Sequence, residues 1–106
     1  MNNVTGVLRN VELCQIEDTE TQFLFGYVVE HTNSRYSVDD WFATSFIVDI
    51  IPVGDYYLVK TANSTYRVPG YETINIPLQA ITNIRMGTPP KTAINILNGT
   101  FGQTLQ

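Results

Sequence analysis

Two segments near the amino terminus decide the fold: VLRNVELCQI, residues 7–16, and FLFGYVVEH, residues 23–31. Their apolar and polar residues alternate with the period of two that is typical of β-strands. An acidic, turn-like segment, residues 17–21, lies between them, so the sequence predicts a β-hairpin. Gly26 lies inside the second strand, where a missing side chain is typical of a bulge or a sharp bend.

The composition of the whole chain also favours a β-sheet. Val, Ile and Thr make up 33 of the 106 residues, and β-branched side chains suit a pleated sheet better than a helix. Charged residues are 15% of the chain and hydrophobic residues 43%, whereas an average protein is about 25% charged. We therefore expect one folded domain over residues 1–106 rather than a disordered chain.

Three further strands are predicted at residues 41–51, 56–61 and 65–68, separated by turn-forming segments. The even positions of the first of these are expected to face the core: Phe42, Thr44, Phe46, Val48 and Ile50. Short strands at this spacing are typical of an antiparallel meander. The sequence thus predicts an all-β core over residues 1–70, curled into a small SH3-like barrel or a bent sheet.

The carboxy-terminal third, residues 71–106, carries a different pattern. Apolar spacing in residues 74–86 begins as in a strand and becomes helical, which predicts one strand and one helical turn. The pair Pro89-Pro90 predicts a rigid connector. Asn98-Gly99 is a strong hairpin signal, and it predicts that residues 92–97 pair with residues 100–105, with Ile96 opposite Phe101.

Charge and hydropathy exclude several classes of function. Residues 1–55 carry nine acidic and two basic side chains, whereas residues 56–106 carry one acidic and four basic ones. Scattered cations on an acidic protein argue against direct nucleic-acid binding. No apolar run reaches the roughly 18 residues that a membrane span needs, and no secretory signal opens the chain. We therefore expect a cytoplasmic protein without a membrane partner.

The residues needed for catalysis are scarce. The chain has one histidine, His31, and one cysteine, Cys14, so a catalytic triad or a two-histidine metal site would have to be built around His31 alone. Cys14 lies between apolar neighbours and is expected to be a buried thiol. Asp39 and Asp40 are adjacent, so on an extended chain they point to opposite faces. The sequence predicts no enzyme, no cofactor and no metal site.

Five short motifs follow one another in the middle of the chain: Gly26-Tyr27-Val28-Val29-Glu30-His31, Arg35-Tyr36, Asp39-Asp40, Thr44-Ser45-Phe46-Ile47 and Thr61-Ala62-Asn63-Ser64-Thr65-Tyr66-Arg67-Val68. In this order they resemble the pattern shared by a group of small, uncharacterised bacterial and prophage-encoded proteins. The resemblance implies an all-β meander and a mobile genetic element, and it implies no established reaction.

Two sets of residues are candidates for binding. Short polar side chains beside the histidine predict a small anionic-ligand site, made by His31, Arg35, Thr44, Ser45 and Asn63. Acidic and aromatic side chains predict a partner-binding surface, made by Glu17, Asp18, Glu20, Trp41, Tyr56 and Tyr57. The aromatic residues have an alternative role in the core.

Three functions follow from these candidates. The leading prediction is a non-enzymatic, phage- or prophage-encoded protein-binding module that inhibits a host protein with a basic surface, as anti-defence, anti-CRISPR or immunity proteins do. The first alternative is a protein that binds or sequesters a small anion. The second is an assembly protein whose carboxy-terminal hairpin docks on a neighbouring copy, and an exposed aromatic patch would also allow a homodimer.

Overall fold

The computed structural model describes residues 4–105, with side chains described through residue 99. Its elements in chain order are β1 (Gly6–Ile16), β2 (Gln22–His31), β3 (Trp41–Ala43), β4 (Ile47–Val53), β5 (Tyr56–Thr61), β6 (Thr65–Val68), β7 (Glu72–Ile76), α1 (Leu78–Arg85) and α2 (Pro90–Leu105). The predicted bounds of β1, β2, β5 and β6 agree with these to within one residue. The strand and helical turn predicted in residues 74–86 are confirmed as β7 and α1.

A β-bulge interrupts β1 opposite Gly26. The register between β1 and β2 shifts there, so that Asn10 and Val11 together oppose one residue of β2. Asn10 has a φ of 51°, the left-handed conformation that such bulges use. A Cβ atom at position 26 would lie 3.0 Å from Val11 Cγ2 and 3.1 Å from the carbonyl oxygen of Arg9. The bulge expected at Gly26 is therefore confirmed, with its extra residue in β1.

The bulge reverses the alternation of side chains along β1. Before it, Leu8 packs into one apolar cluster; after it, Leu13 packs into that same cluster and Cys14 into the other. One inserted residue exchanges odd and even positions in a period of two. The side chains of this one strand therefore contribute to both apolar clusters.

β1 is the central strand and has partners along both edges. β2 runs antiparallel along one edge, whereas β6 and β7 run parallel along the other, β6 beside the first residues of β1 and β7 beside the last. The strand order is β3-β2-β1-β6-β5-β4, with β7 attached to β1. Among the described residues the strands form an open, mixed sheet that is not closed into a barrel. Strands β4, β5 and β6 pair in order as the predicted antiparallel meander, whereas the parallel pairs of β1 with β6 and β7 were not predicted.

The predicted strand over residues 41–51 is divided into β3 and β4. Thr44 lies between them, where its N–H donates to the Leu24 carbonyl oxygen and its hydroxyl accepts from the Leu24 N–H. The chain turns after this residue, so the alternation of the predicted core face stops. Phe46 and Val48 are 55% and 71% exposed, which contradicts the core position predicted for them.

Two apolar clusters fill the opposite faces of the β1–β2 ribbon. One lies between this ribbon and β5 and β6, and its buried members are Leu8, Val11, Leu13, Leu24, Val28, Val59, Tyr66 and Val68. The other lies under the helices, and its buried members are Cys14, Ile16, Phe23, Phe25, Ile76, Ala80, Ile84 and Ala93. Cys14 is buried, as expected, and this burial raises the pKa of its thiol to about 12.

The predicted carboxy-terminal hairpin is wrong, because residues 90–105 form the single helix α2. Pro90 begins the helix, a position that suits the fixed φ of proline. Ala93 and Ile94 pack against the cluster under the helices. Together with Pro90 and Leu97 they are the buried or half-buried positions among the described side chains of α2, and this helical spacing outweighs the local turn preference of Asn98-Gly99. The predicted contact of Ile96 with Phe101 involves a side chain outside the described residues.

No helix in the described part of the chain is long and apolar enough to cross a membrane.

Substitution of Gly26 tests the bulge. We expect Gly26→Ala to lower the free energy of unfolding by about 1–3 kcal/mol, because the new Cβ meets backbone and Val11 atoms that cannot easily move. Urea unfolding measures the effect. Gly70→Ala is the matched control, since a Cβ there meets no atom within 4 Å, and it should change stability by less than about 0.5 kcal/mol. Equal effects of the two substitutions would contradict a close contact at Gly26.

Candidate functional site

His31 lies at the end of β2, with one ring edge on a loop and one in an aromatic cluster. Its Nδ1 accepts a hydrogen bond of 3.0 Å from the Asn33 N–H, which assigns the proton of the neutral ring to Nε2. Nε2 is buried and has no hydrogen-bond partner among the described residues. The ring centroids of Tyr36, Phe42 and Tyr66 lie 4.7, 5.2 and 6.0 Å from that of His31. Burial lowers the pKa of His31, so the ring is held neutral.

A cavity of about 340 Å³, the His31 pocket, opens beside this histidine. Its lining residues are Val4, Thr5, Gly6, Val7, Glu30, His31, Thr32 and Arg67. Of the five residues predicted to bind an anion, it contains His31 alone. The structure does not bring the predicted set together.

Arg35 instead lines a second cavity of about 420 Å³, which we call the arginine cleft. It is lined by Arg35, Tyr36, Asp40, Trp41, Phe42, Ala43 and Arg85. Arg85 comes from the end of α1, far from Arg35 in sequence, and its Nη1 donates a 2.6 Å hydrogen bond to the Thr44 carbonyl oxygen. The cleft thus joins two guanidinium groups with the rings of three aromatic side chains.

The other three residues predicted to bind an anion line neither the His31 pocket nor the arginine cleft. Thr44 is buried and its hydroxyl is used within the chain, donating to the Ser45 carbonyl oxygen at 2.7 Å. Ser45 is exposed in the bend before β4. Asn63 lies in the β5–β6 turn and lines a polar depression together with Lys60 and Ser64. Thr44 therefore supports the arginine cleft through its backbone, and Asn63 belongs to another surface.

The acidic turn, residues 17–20, is exposed and built by local hydrogen bonds. Thr19 donates to the Ile16 carbonyl oxygen through both its N–H and its hydroxyl, and the Gln15 side-chain amide donates to the Thr19 carbonyl oxygen. Within the described residues, none of the predicted partner-binding acids Glu17, Asp18 and Glu20 forms an ion pair. Glu17 N–H donates to the Ile76 carbonyl oxygen, which sets the turn beside the start of α1.

The predicted partner-binding aromatics differ in exposure. Trp41 is 43% exposed, while its indole stacks on the Phe25 ring at 6.1 Å and 5°. Tyr56 is half-buried beneath the Arg67 guanidinium, whose carbon lies 3.9 Å from the ring centroid. Tyr57 is half-buried and packs edge-on against Tyr71. The two tyrosine rings are therefore engaged by contacts within the chain, whereas part of the Trp41 side chain stays accessible to a partner.

Sequence reasoning missed the α1–α2 connection as part of this site. Gly87 has a φ of 111°, and a Cβ there would lie 2.8 Å from Trp41 Cε2, so the indole packs directly on the connection. Met86, the preceding residue, is 76% exposed. The segment Arg85-Met86-Gly87 follows a helical pattern, and a helix-ending glycine was the available signal.

No protein-family profile, curated protein or solved structure matches the chain. Among the described residues, no three His, Cys, Asp or Glu side chains converge as they would around a metal ion. The proposed function therefore rests on the residues of the His31 pocket and the arginine cleft and on their surroundings.

The neutral state of His31 has a measurable consequence for pH. The folded pKa lies below the ordinary value of 6.5, so the unfolded chain takes up a proton first as pH falls. The contribution of His31 to stability is complete above about pH 6.5 and is lost as the pH falls from that value towards the folded pKa. Since the chain has one histidine, its ring proton signals in NMR follow the titration directly.

We expect the NMR midpoint of His31 to lie below 6.5 in buffer and to return to about 6.5 in urea. The unfolding free energy of His31→Gln, which keeps a hydrogen-bond acceptor, should fall less than that of the unsubstituted protein over the same acidic range. A native midpoint at or above 6.5 would contradict a desolvated, neutral ring.

Proposed function

We propose that this protein is a non-enzymatic protein-binding module that acts by covering a surface of its partner. One observation carries the proposal: three large apolar side chains are exposed on residues that line the arginine cleft or lie within three residues of its lining in sequence. They are Trp41, Phe46 and Met86, and we call them the Trp41 surface. Exposed aromatic and methionine side chains next to arginine are the composition that protein interfaces favour.

Contacts between elements support the grouping of these three residues. Trp41 packs on Gly87, which directly follows Met86. Phe46 follows Thr44 by two residues, and the Thr44 carbonyl oxygen accepts the hydrogen bond from Arg85. The three side chains therefore belong to segments that meet where Arg85, at the end of α1, contacts the β3–β4 bend.

The Trp41 side chain is also held in place by its neighbours, which favours binding. The indole is fixed from below by Phe25 and from the side by Gly87. A side chain that is already immobilised loses little conformational entropy when a partner covers it. Its exposed face is therefore suited to the role of an anchor residue.

The charges at the two ends of α1 differ in sign, and this supports a directional interaction. The acidic turn lies at the start of α1, and Arg85 lies in its last turn. Arg85 in the last turn is favourable for the helix dipole, so it has a structural role as well. A partner with a basic region facing the turn would be attracted at long range, as the inhibitor function suggested by the sequence requires.

An assembly role through a carboxy-terminal hairpin has lost its structural basis, since those residues form α2. A small-anion binder stays as a second candidate because Arg35 and Arg85 share one cleft. The two candidates differ in what they need: a free anion needs the guanidinium groups, while a protein partner also needs the exposed apolar side chains.

Met86→Glu tests the Trp41 surface. We expect affinity purification from a cell lysate, followed by quantitative mass spectrometry, to recover a partner that Met86→Glu and Phe46→Glu each reduce at least about tenfold, since an interface anchor contributes about 2 kcal/mol or more. Leu78→Glu is the matched control, because Leu78 is also an exposed apolar residue, 61% accessible, at the opposite end of α1.

Loss of the partner with Leu78→Glu alone would contradict the proposal and move the interface to the acidic turn. Light scattering of the purified protein tests whether a second copy of the chain is the partner. A dimer at high concentration that Met86→Glu dissociates would mean that a second copy, and not another protein, covers the Trp41 surface.

Charge reversal in the acidic turn tests the long-range attraction. Replacement of Glu17, Asp18 and Glu20 by Lys should slow association with the captured partner about tenfold at low salt, with a smaller effect at high salt. Stopped-flow or surface-binding kinetics measure the rate. An unchanged association rate and an unchanged salt dependence would exclude this turn as the source of attraction.

A further inference from the structure

We infer that the arginine cleft receives a single carboxylate group from the partner, carried beside an apolar side chain that covers Trp41. This inference rests on the proposed protein-binding function and specifies the chemistry of the bound segment. It depends on three features of the cleft: available guanidinium groups, aromatic walls and the acidic surroundings.

Arg85 is held in place but keeps donors available. It uses one N–H on the Thr44 carbonyl oxygen, and its guanidinium carbon lies 5.0 Å from the Phe23 ring centroid. A guanidinium group has five N–H donors in a fixed plane, so the contact orients the group without consuming it. An oriented arginine binds a carboxylate with little further loss of freedom.

Arg35 adds the second positive charge to the same cleft. Its guanidinium carbon lies 5.8 Å from the Tyr36 ring centroid. In the described part of the chain, Arg9 and Lys91 have carboxylate partners in Asp39 and Glu72, whereas neither Arg35 nor Arg85 has one within 4.0 Å. The charge of these two arginines is thus not neutralised by direct ion pairs with the described residues.

Asp40 is the acidic residue that lines the cleft, and it is engaged elsewhere. Its Oδ2 accepts a 2.9 Å hydrogen bond from the Ser37 N–H, which turns the carboxylate towards its own loop. Two guanidinium groups against one carboxylate leave the cleft with an excess of positive charge. One additional carboxylate would balance it.

The surroundings select a single carboxylate over a polyanion. The chain carries a net charge of -4, so a nucleic acid or another polyanion would be repelled by the protein as a whole. The rim of the cleft is apolar at Trp41, which lines the cleft and is 43% exposed. A peptide segment with one acidic residue next to an apolar one satisfies both the local charge and the apolar rim.

The volume of the cleft agrees with such an occupant. At about 420 Å³ it falls in the range of about 300–1,000 Å³ that small-molecule sites occupy. It therefore has room for one acidic side chain. The remainder of the partner would lie over the Trp41 surface.

Fluorescence of Trp41, the one tryptophan in the chain, tests this inference directly. The probes are an acetylated, amidated Leu-Glu-Leu peptide, its Leu-Gln-Leu analogue and inorganic phosphate. We expect a saturable change in Trp41 emission with the Glu peptide and binding about tenfold weaker with the Gln analogue, since charge-assisted hydrogen bonds to arginine are lost. Phosphate should bind more weakly than the Glu peptide because it makes no apolar contact.

Arg35→Gln should weaken binding of the Glu peptide about fivefold or more. Arg67→Gln is the matched control, because Arg67 is an exposed arginine that lies over Tyr56 and outside the cleft, and it should leave binding unchanged. Both variants should keep the thermal unfolding midpoint of the unsubstituted protein.

The outcomes separate this inference from the proposed function. If neither peptide changes the emission while partner capture still depends on Met86, the carboxylate occupant is wrong and the protein-binding function stands. If phosphate binds as tightly as the Glu peptide, the cleft is a small-anion site and the inference is wrong. If partner capture does not depend on Met86 and Phe46, the proposed function fails, whatever the peptides show.

Discussion

The bulge in β1 is the constraint on which the rest of the fold depends. A straight strand would present one set of side chains to each face along its whole length. The extra residue at Asn10 exchanges the faces of β1, so that odd positions after the bulge point to the side that even positions face before it. Gly26 permits this because a side chain there would contact Val11 and the β1 backbone. The same strand pairs with β6 at its beginning and, at its end, with β7, which leads into α1.

Local sequence patterns predicted the elements whose structure is local. The β1–β2 hairpin and strands β5 and β6 have clear alternation and turn residues, and their bounds were predicted closely. The pairing of strands was less predictable, because parallel contacts of β1 with β6 and β7 leave no local pattern. Asn98-Gly99 was misleading, since its turn preference is weaker than the packing of Ala93 and Ile94 under the sheet.

Only part of the candidate site could be predicted from the sequence. Arg35 and Trp41 were identified from their residue types, and both line the arginine cleft. Arg85 was not, because its position depends on a hydrogen bond to the backbone of Thr44, and no side-chain pattern encodes that contact. His31 attracted attention as the single histidine, yet its Nδ1 is used by the loop and its Nε2 is buried among aromatic rings. Its chemistry explains local packing better than ligand capture.

The parallel pairing of β1 also affects how the chain can be assembled. The hydrogen bond between the Thr65 N–H and the Thr5 hydroxyl joins residues 60 positions apart, whereas the β1–β2 hairpin closes through a turn of a few residues. Closing the longer loop costs about 2 kcal/mol more in chain entropy than closing a five-residue turn. During synthesis β1 therefore has a partner on one edge well before the other is covered, and an uncovered strand edge favours aggregation. Completion of the central strand, and protection of its second edge, depends on residues that leave the ribosome much later.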